Sequence, residues 1–60
     1  MTPSAAMRQW LLDAAQDARA TPAERDLLTS AADGTASLDD YRRAIWLATE
    51  PGGIYGRPNA

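Results

Sequence analysis

The chain has no cysteine, no histidine and no lysine. Without cysteine there is no disulfide, and without either cysteine or histidine the usual ligands of a zinc site are gone. No thiolate, imidazole or amine stands ready to complete a catalytic centre around a carboxylate. Asp13 and Asp17, which share a helix face, and the neighbours Asp39 and Asp40 therefore read as solubilising charges. The expectation is a protein that is not an enzyme and that needs no cofactor, metal or small-molecule substrate. Long apolar runs are also missing: none approaches the roughly 20 residues that span a bilayer, and no secretory apolar region follows Met1. A cytoplasmic location with no membrane partner is expected.

Large apolar side chains are few. Hydrophobic residues make up 45% of the 60 positions, but thirteen of those 27 are alanines. Beyond Met1, the large set is Met7, Trp10, Leu11, Leu12, Leu27, Leu28, Leu38, Tyr41, Ile45, Trp46, Leu47, Ile54 and Tyr55. Sixty residues make one domain at most, near the lower limit for folding alone. Chains of this size are commonly stapled by a disulfide, a metal or a partner; with the first excluded and a zinc site nearly so, association with itself or another protein remains.

Six arginines face eight acids, for a net charge of −2. An acidic domain repels a phosphate backbone unless its arginines gather on one face, which argues against nucleic acid as partner. All-arginine cation usage with this much alanine is what GC-rich coding produces, in a bacterial or phage setting.

The chain punctuates itself into three helices. Thr2-Pro3 offers a hydroxyl cap followed by proline at the first helical position. Met7, Trp10, Leu11, Ala14 and Ala18 then recur at spacings of 3 and 4, predicting a helix over 2–19, with Arg19 placed at its negative pole. Thr21-Pro22-Ala23-Glu24 is a capping box that opens a second helix over 22–33, with Leu27, Leu28, Ala31 and Ala32 inward. Gly34 suits a left-handed stop, and Ser37 with Asp40 marks the next start. A third helix is predicted over 38–50, with Leu38, Tyr41, Ala44, Ile45 and Ala48 on its inner stripe and Pro51 ending it. Short loops imply antiparallel neighbours. After Glu50, Pro51-Gly52-Gly53 starts a segment too rich in glycine and proline for a helix, either a disordered tail or an arm whose Ile54 and Tyr55 dock.

The expected architecture is therefore all-α: a small three-helix bundle over 1–50 with a short irregular C-terminal arm over 51–60. Its expected core is Met7, Trp10, Leu11, Ala14, Leu27, Leu28, Ala31, Leu38, Tyr41, Ile45 and Ala48.

Ile45-Trp46-Leu47-Ala48 wraps helix 3 in apolar groups on all sides, although a bundle covers only one. Either the Ile54-Tyr55 arm folds back over Trp46 or Leu47, or they form a patch for a partner. The proposed contact surface is Leu12, Trp46 and Leu47 with the arm residues Ile54, Tyr55 and Arg57, rimmed by Arg42 and Arg43. Tryptophan, tyrosine and arginine are the types enriched where binding energy concentrates. The same Arg42-Arg43-Trp46 grouping is the basis of an alternative, a small DNA-binding protein. However, adjacent arginines diverge by about 100° around a helix, and Asp39 and Asp40 sit one turn away.

Three local resemblances bear on function. Asp33-Gly34-Thr35-Ala36-Ser37-Leu38-Asp39-Asp40-Tyr41 resembles the exit half of an EF-hand loop. It departs from that pattern with Thr29 and Ala31 where ligand acids belong and with the short Asp40 in place of a bidentate glutamate, so a metal-free loop is expected. Residues 23–48, from Ala23-Glu24-Arg25-Asp26-Leu27-Leu28 to Leu38-Asp39-Asp40-Tyr41, resemble SHOCT-like short helical-hairpin modules of bacteria. That resemblance implies an oligomerisation or docking piece and gives no single residue a role. Gly52-Gly53 followed by seven residues resembles the double-glycine junction of ribosomal peptide precursors, which would make 1–53 a leader and 54–60 the product.

Overall fold

The computed structural model describes residues 2–58 as three helices and a terminal turn: α1 (Ala5–Gln16), α2 (Pro22–Asp33), α3 (Leu38–Thr49) and a 3₁₀ turn (Ile54–Gly56). Among the described residues there is no strand, and no helix is long and apolar enough to cross a membrane. The chain is a small all-α three-helix bundle.

Each boundary has a local cause. The start of α1 lies later than Thr2-Pro3 suggests, because the Ser4 hydroxyl accepts the Met7 N–H at 3.2 Å and takes the cap. The helix also stops short of residue 19. Asp17 turns its carboxylate back onto the Arg19 N–H at 2.9 Å, a local bond that competes with helix continuation. Both halves of the α2 capping box form: the Glu24 N–H reaches Thr21 Oγ1 at 3.1 Å, and the Thr21 N–H reaches Glu24 Oε1 at 2.9 Å.

Gly34 ends α2 at φ 78°, with Gly34 N–H to the Ala31 carbonyl and Thr35 N–H to the Ser30 carbonyl. That pair of bonds is a Schellman motif. The Ser37 hydroxyl accepts the Asp40 N–H to open α3. Glu50 is extended at ψ 150° and caps α3 instead of continuing it, as the residue before a proline must.

The core is built mainly from alanine. Ala14, Ala15, Ala20, Ala31, Ala32, Ala44 and Ala48 let the helices approach closely, and the largest fully buried side chains are Leu11, Leu28 and Ile54. Tyr41 and Leu47 complete it, while Met7, Leu12, Leu27 and Ile45 pack at its edge. Two expected core residues are corrected: Trp10 is 51% exposed and Leu38 is 46% exposed. In α1 the buried stripe is centred on Leu11 with Ala14 and Ala15 beside it, so Trp10 and Leu12 fall about 100° to either side. In α3 the stripe is Tyr41, Ala44, Leu47 and Ala48, which turns Leu38 to solvent and draws Leu47 inward.

The arm is docked. Gly53 lies against the backbone of Leu47 so closely that a Cβ there would overlap the Leu47 carbonyl oxygen. This contact brings the next residue, Ile54, into the core with no exposed surface.

Candidate interaction surface

An interlocked pair of arginines holds the arm across the start of α2. Arg57 makes two parallel bonds to Glu24, Nη1 to Oε1 at 2.6 Å and Nη2 to Oε2 at 2.5 Å, and a third from Nη1 to the Arg19 carbonyl at 3.0 Å. Arg19 reciprocates, donating from Nη1 to the Arg57 carbonyl at 2.9 Å and to the Tyr55 carbonyl at 3.3 Å. Asp17 grips the rest of the Arg19 fork through Nε and Nη2, each at 2.9 Å. Glu24 thus serves two ends, accepting the Thr21 N–H of the helix cap and the guanidinium of the arm.

The electrostatics follow from these contacts. Arg57, then the Thr21 N–H, hold the Glu24 carboxyl at about 2, below its ordinary 4.5. Hydrogen bonds from the Arg19 side chain and then its N–H likewise hold Asp17 at about 2. Every buried side-chain nitrogen and oxygen among the described residues has a hydrogen-bond partner.

The structure separates the eight residues that the sequence grouped as one contact surface. Leu47 and Ile54 are buried in the core and offer nothing to a partner; this corrects that expectation for both. Arg57 is committed to Glu24 and Arg19, so it is a latch within the fold. Leu12 is half-buried at the core edge. Arg42 is exposed, whereas Arg43 lines a groove of about 220 Å³ with Ala23, Glu24, Leu27 and Asp40. Trp46 stays 49% exposed, its ring edge close enough to Gly52 that a Cβ there would meet Cζ2 at 3.0 Å.

Tyr55 is 43% exposed and faces a different companion from the one expected. With Trp10 it lines a groove of about 710 Å³, together with Ala6, Gln9, Asp13 and Thr49. Sequence reasoning missed this groove because it placed Trp10 in the core. The available signal was the adjacent pair Ala14-Ala15, which marks where α1 packs tightest and so which way Trp10 turns.

No family model, curated protein or solved structure matches this chain.

Proposed function

We propose that this chain is a non-enzymatic protein–protein interaction module, a small adaptor, inhibitor or assembly subunit that binds a partner or itself. One observation carries the reading: Trp10, Trp46 and Tyr55 remain about half exposed around a core already closed by Leu11, Leu28 and Ile54. The exposed aromatics are therefore a surplus over what folding requires, and aromatic groups of this kind anchor interfaces. Trp46, with Arg42 on the same helix, and the Trp10–Tyr55 groove form the contact surface. Thr49, one helical turn beyond Trp46, lines that groove and adjoins the two parts. The resemblance of 23–48 to helical-hairpin docking modules points the same way.

Nothing favours the peptide-precursor alternative, since cleavage after Gly53 would pull Ile54 out of the core. Nor does the DNA-binding alternative gain support. Arg19 and Arg57 are spent on internal contacts, and Arg43 shares its groove with Asp40 and Glu24.

The test is sedimentation of the pure chain over a broad concentration range, beside Trp46→Ala. Self-association that Trp46→Ala weakens, with helicity retained by circular dichroism, identifies an assembly subunit. A folded monomer at all concentrations directs the search to a different partner. Collapse of the fold in Trp46→Ala would make Trp46 structural and remove the anchor.

A further inference from the structure

We propose that the Trp10–Tyr55 groove seats a basic side chain, arginine or lysine, presented by a protein partner. This names the chemistry of the partner and rests on the interaction reading above.

The groove brings together two aromatic rings from distant parts of the chain, Trp10 on α1 and Tyr55 on the 3₁₀ turn, with a carboxylate between them in sequence and beside them in space. Gln9 Nε2 donates to Asp13 Oδ1 at 2.8 Å, which orients the carboxylate. Its second oxygen, Oδ2, has no protein partner among the described residues. Aromatic faces attract cations through their quadrupole, and a carboxylate alongside reinforces the attraction.

Among the described residues the lining holds no cation: it is formed by Ala6, Gln9, Trp10, Asp13, Thr49 and Tyr55. An anion would meet Asp13 unopposed, and a wholly apolar occupant would strand the polar groups of Gln9, Asp13 and Thr49. The Tyr55 ring already accepts a guanidinium from outside the groove, with Arg19 Cζ standing 5.4 Å from its centroid. That charge is neutralised by Asp17 at 2.9 Å. At the Tyr55 phenol, burial first and then the fields of Asp17 and Asp13 raise the pKa, ahead of the opposing effect of Arg19. Asp13 is thus the carboxylate that lines the groove itself. The groove is open along its length, so a free small cation would be held on few sides. A side chain carried by a docked protein gains the remaining contacts from its own surroundings.

The test uses the full chain, ¹⁵N-labelled, titrated with an acetylated and amidated Ala-Leu-Arg-Leu-Ala peptide. The same peptide with citrulline in place of arginine, and methylguanidinium alone, are the comparisons. Citrulline keeps the shape and removes the charge. The expected result is movement of the Trp10 indole N–H and of Asp13 and Tyr55 amides. Binding should be about three- to thirtyfold weaker for the citrulline peptide, the range set by one exposed cation–π contact plus one surface ion pair. In Asp13→Asn, which lies on an exposed face, the preference for arginine should shrink while the spectrum stays folded.

Equal binding of the two peptides overturns the cation assignment, yet leaves an apolar docking groove and hence the interaction reading. Methylguanidinium binding as tightly as the peptide overturns the protein-borne source. Shifts mapping away from Trp10, or no binding by any of the three probes, overturn the proposal outright. The interaction reading then stands or falls on sedimentation with Trp46→Ala.

Discussion

Glu24 joins two distant parts of this fold through one side chain. It caps α2 and anchors the arm with the same carboxylate. Its pKa, about 2 in the fold against an ordinary 4.5, makes that double role testable by pH. A carboxyl depressed by folding contributes stability in full above its unfolded value, and the contribution drains away as pH falls through the folded value. The melting temperature should therefore decline between roughly pH 4.5 and pH 2, and Asp17 adds a smaller decline of the same sign from 3.8 downward. Glu24→Gln should melt lower than the parent at neutral pH and lose temperature less steeply over that acid window. Thermal melts by circular dichroism at both ends of the window measure this. Parallel declines in the two proteins would mean that the carboxylate is not ion-paired in solution.

Among the elements, α2 is the most fully specified by its own residues, with a reciprocal box at one end and a Schellman motif at the other. Gly34 carries the second. At φ 78° a Cβ costs about 1–2 kcal/mol, so Gly34→Ala should be destabilised by that amount, while Gly34→Asn should lose less. For a chain this short, a loss of 1 kcal/mol lowers the melting temperature by about 4–8 °C, which a single thermal scan resolves. The arm is the contrasting element: almost nothing in it is regular, and its place depends on groups far away in sequence. Gly53 meets Leu47, Tyr55 accepts a bond from Arg19, and Arg57 reaches Glu24.

For the molecule as a whole, Ile54 is the closing piece, among the described residues one of three large side chains with no exposure in a core made mostly of alanine. Total stability for 60 residues is of order 3–9 kcal/mol. Removing a fully buried isoleucine to alanine costs about 2–5 kcal/mol. Ile54→Ala should therefore be largely unfolded or close to it, whereas Ile54→Val, at about 0.5–1.5 kcal/mol, should remain folded. Urea denaturation of the two variants decides it. A cooperative, near-parental transition in Ile54→Ala would show that the helices hold without the arm.

How much of this was legible beforehand depends on whether the cause is local. The capping box at Thr21 and Glu24, the left-handed stop at Gly34 and the Ser37 cap are set by residues within one turn of each other, and the all-α class and the span of α2 followed from them. The edges of α1 were misplaced by a few residues because Ser4 and Asp17 offered competing side-chain bonds that spacing alone does not rank. The rotation of α1 and α3 about their axes was legible only in part: Leu11, Ala14, Tyr41, Ala44 and Ala48 lie inward as their spacing implies, but Trp10 and Leu38 do not. Both helices carry apolar groups on more than one side, and which side turns inward is settled by close packing of alanines and by the arm. That is why Trp10 and Leu38 face solvent, Leu47 and Ile54 lie in the core, and Arg57 closes the fold instead of its surface. The sequence by itself determined the helices and their punctuation; only tertiary packing decided which aromatic groups were left exposed, because burial depends on neighbours distant in the chain.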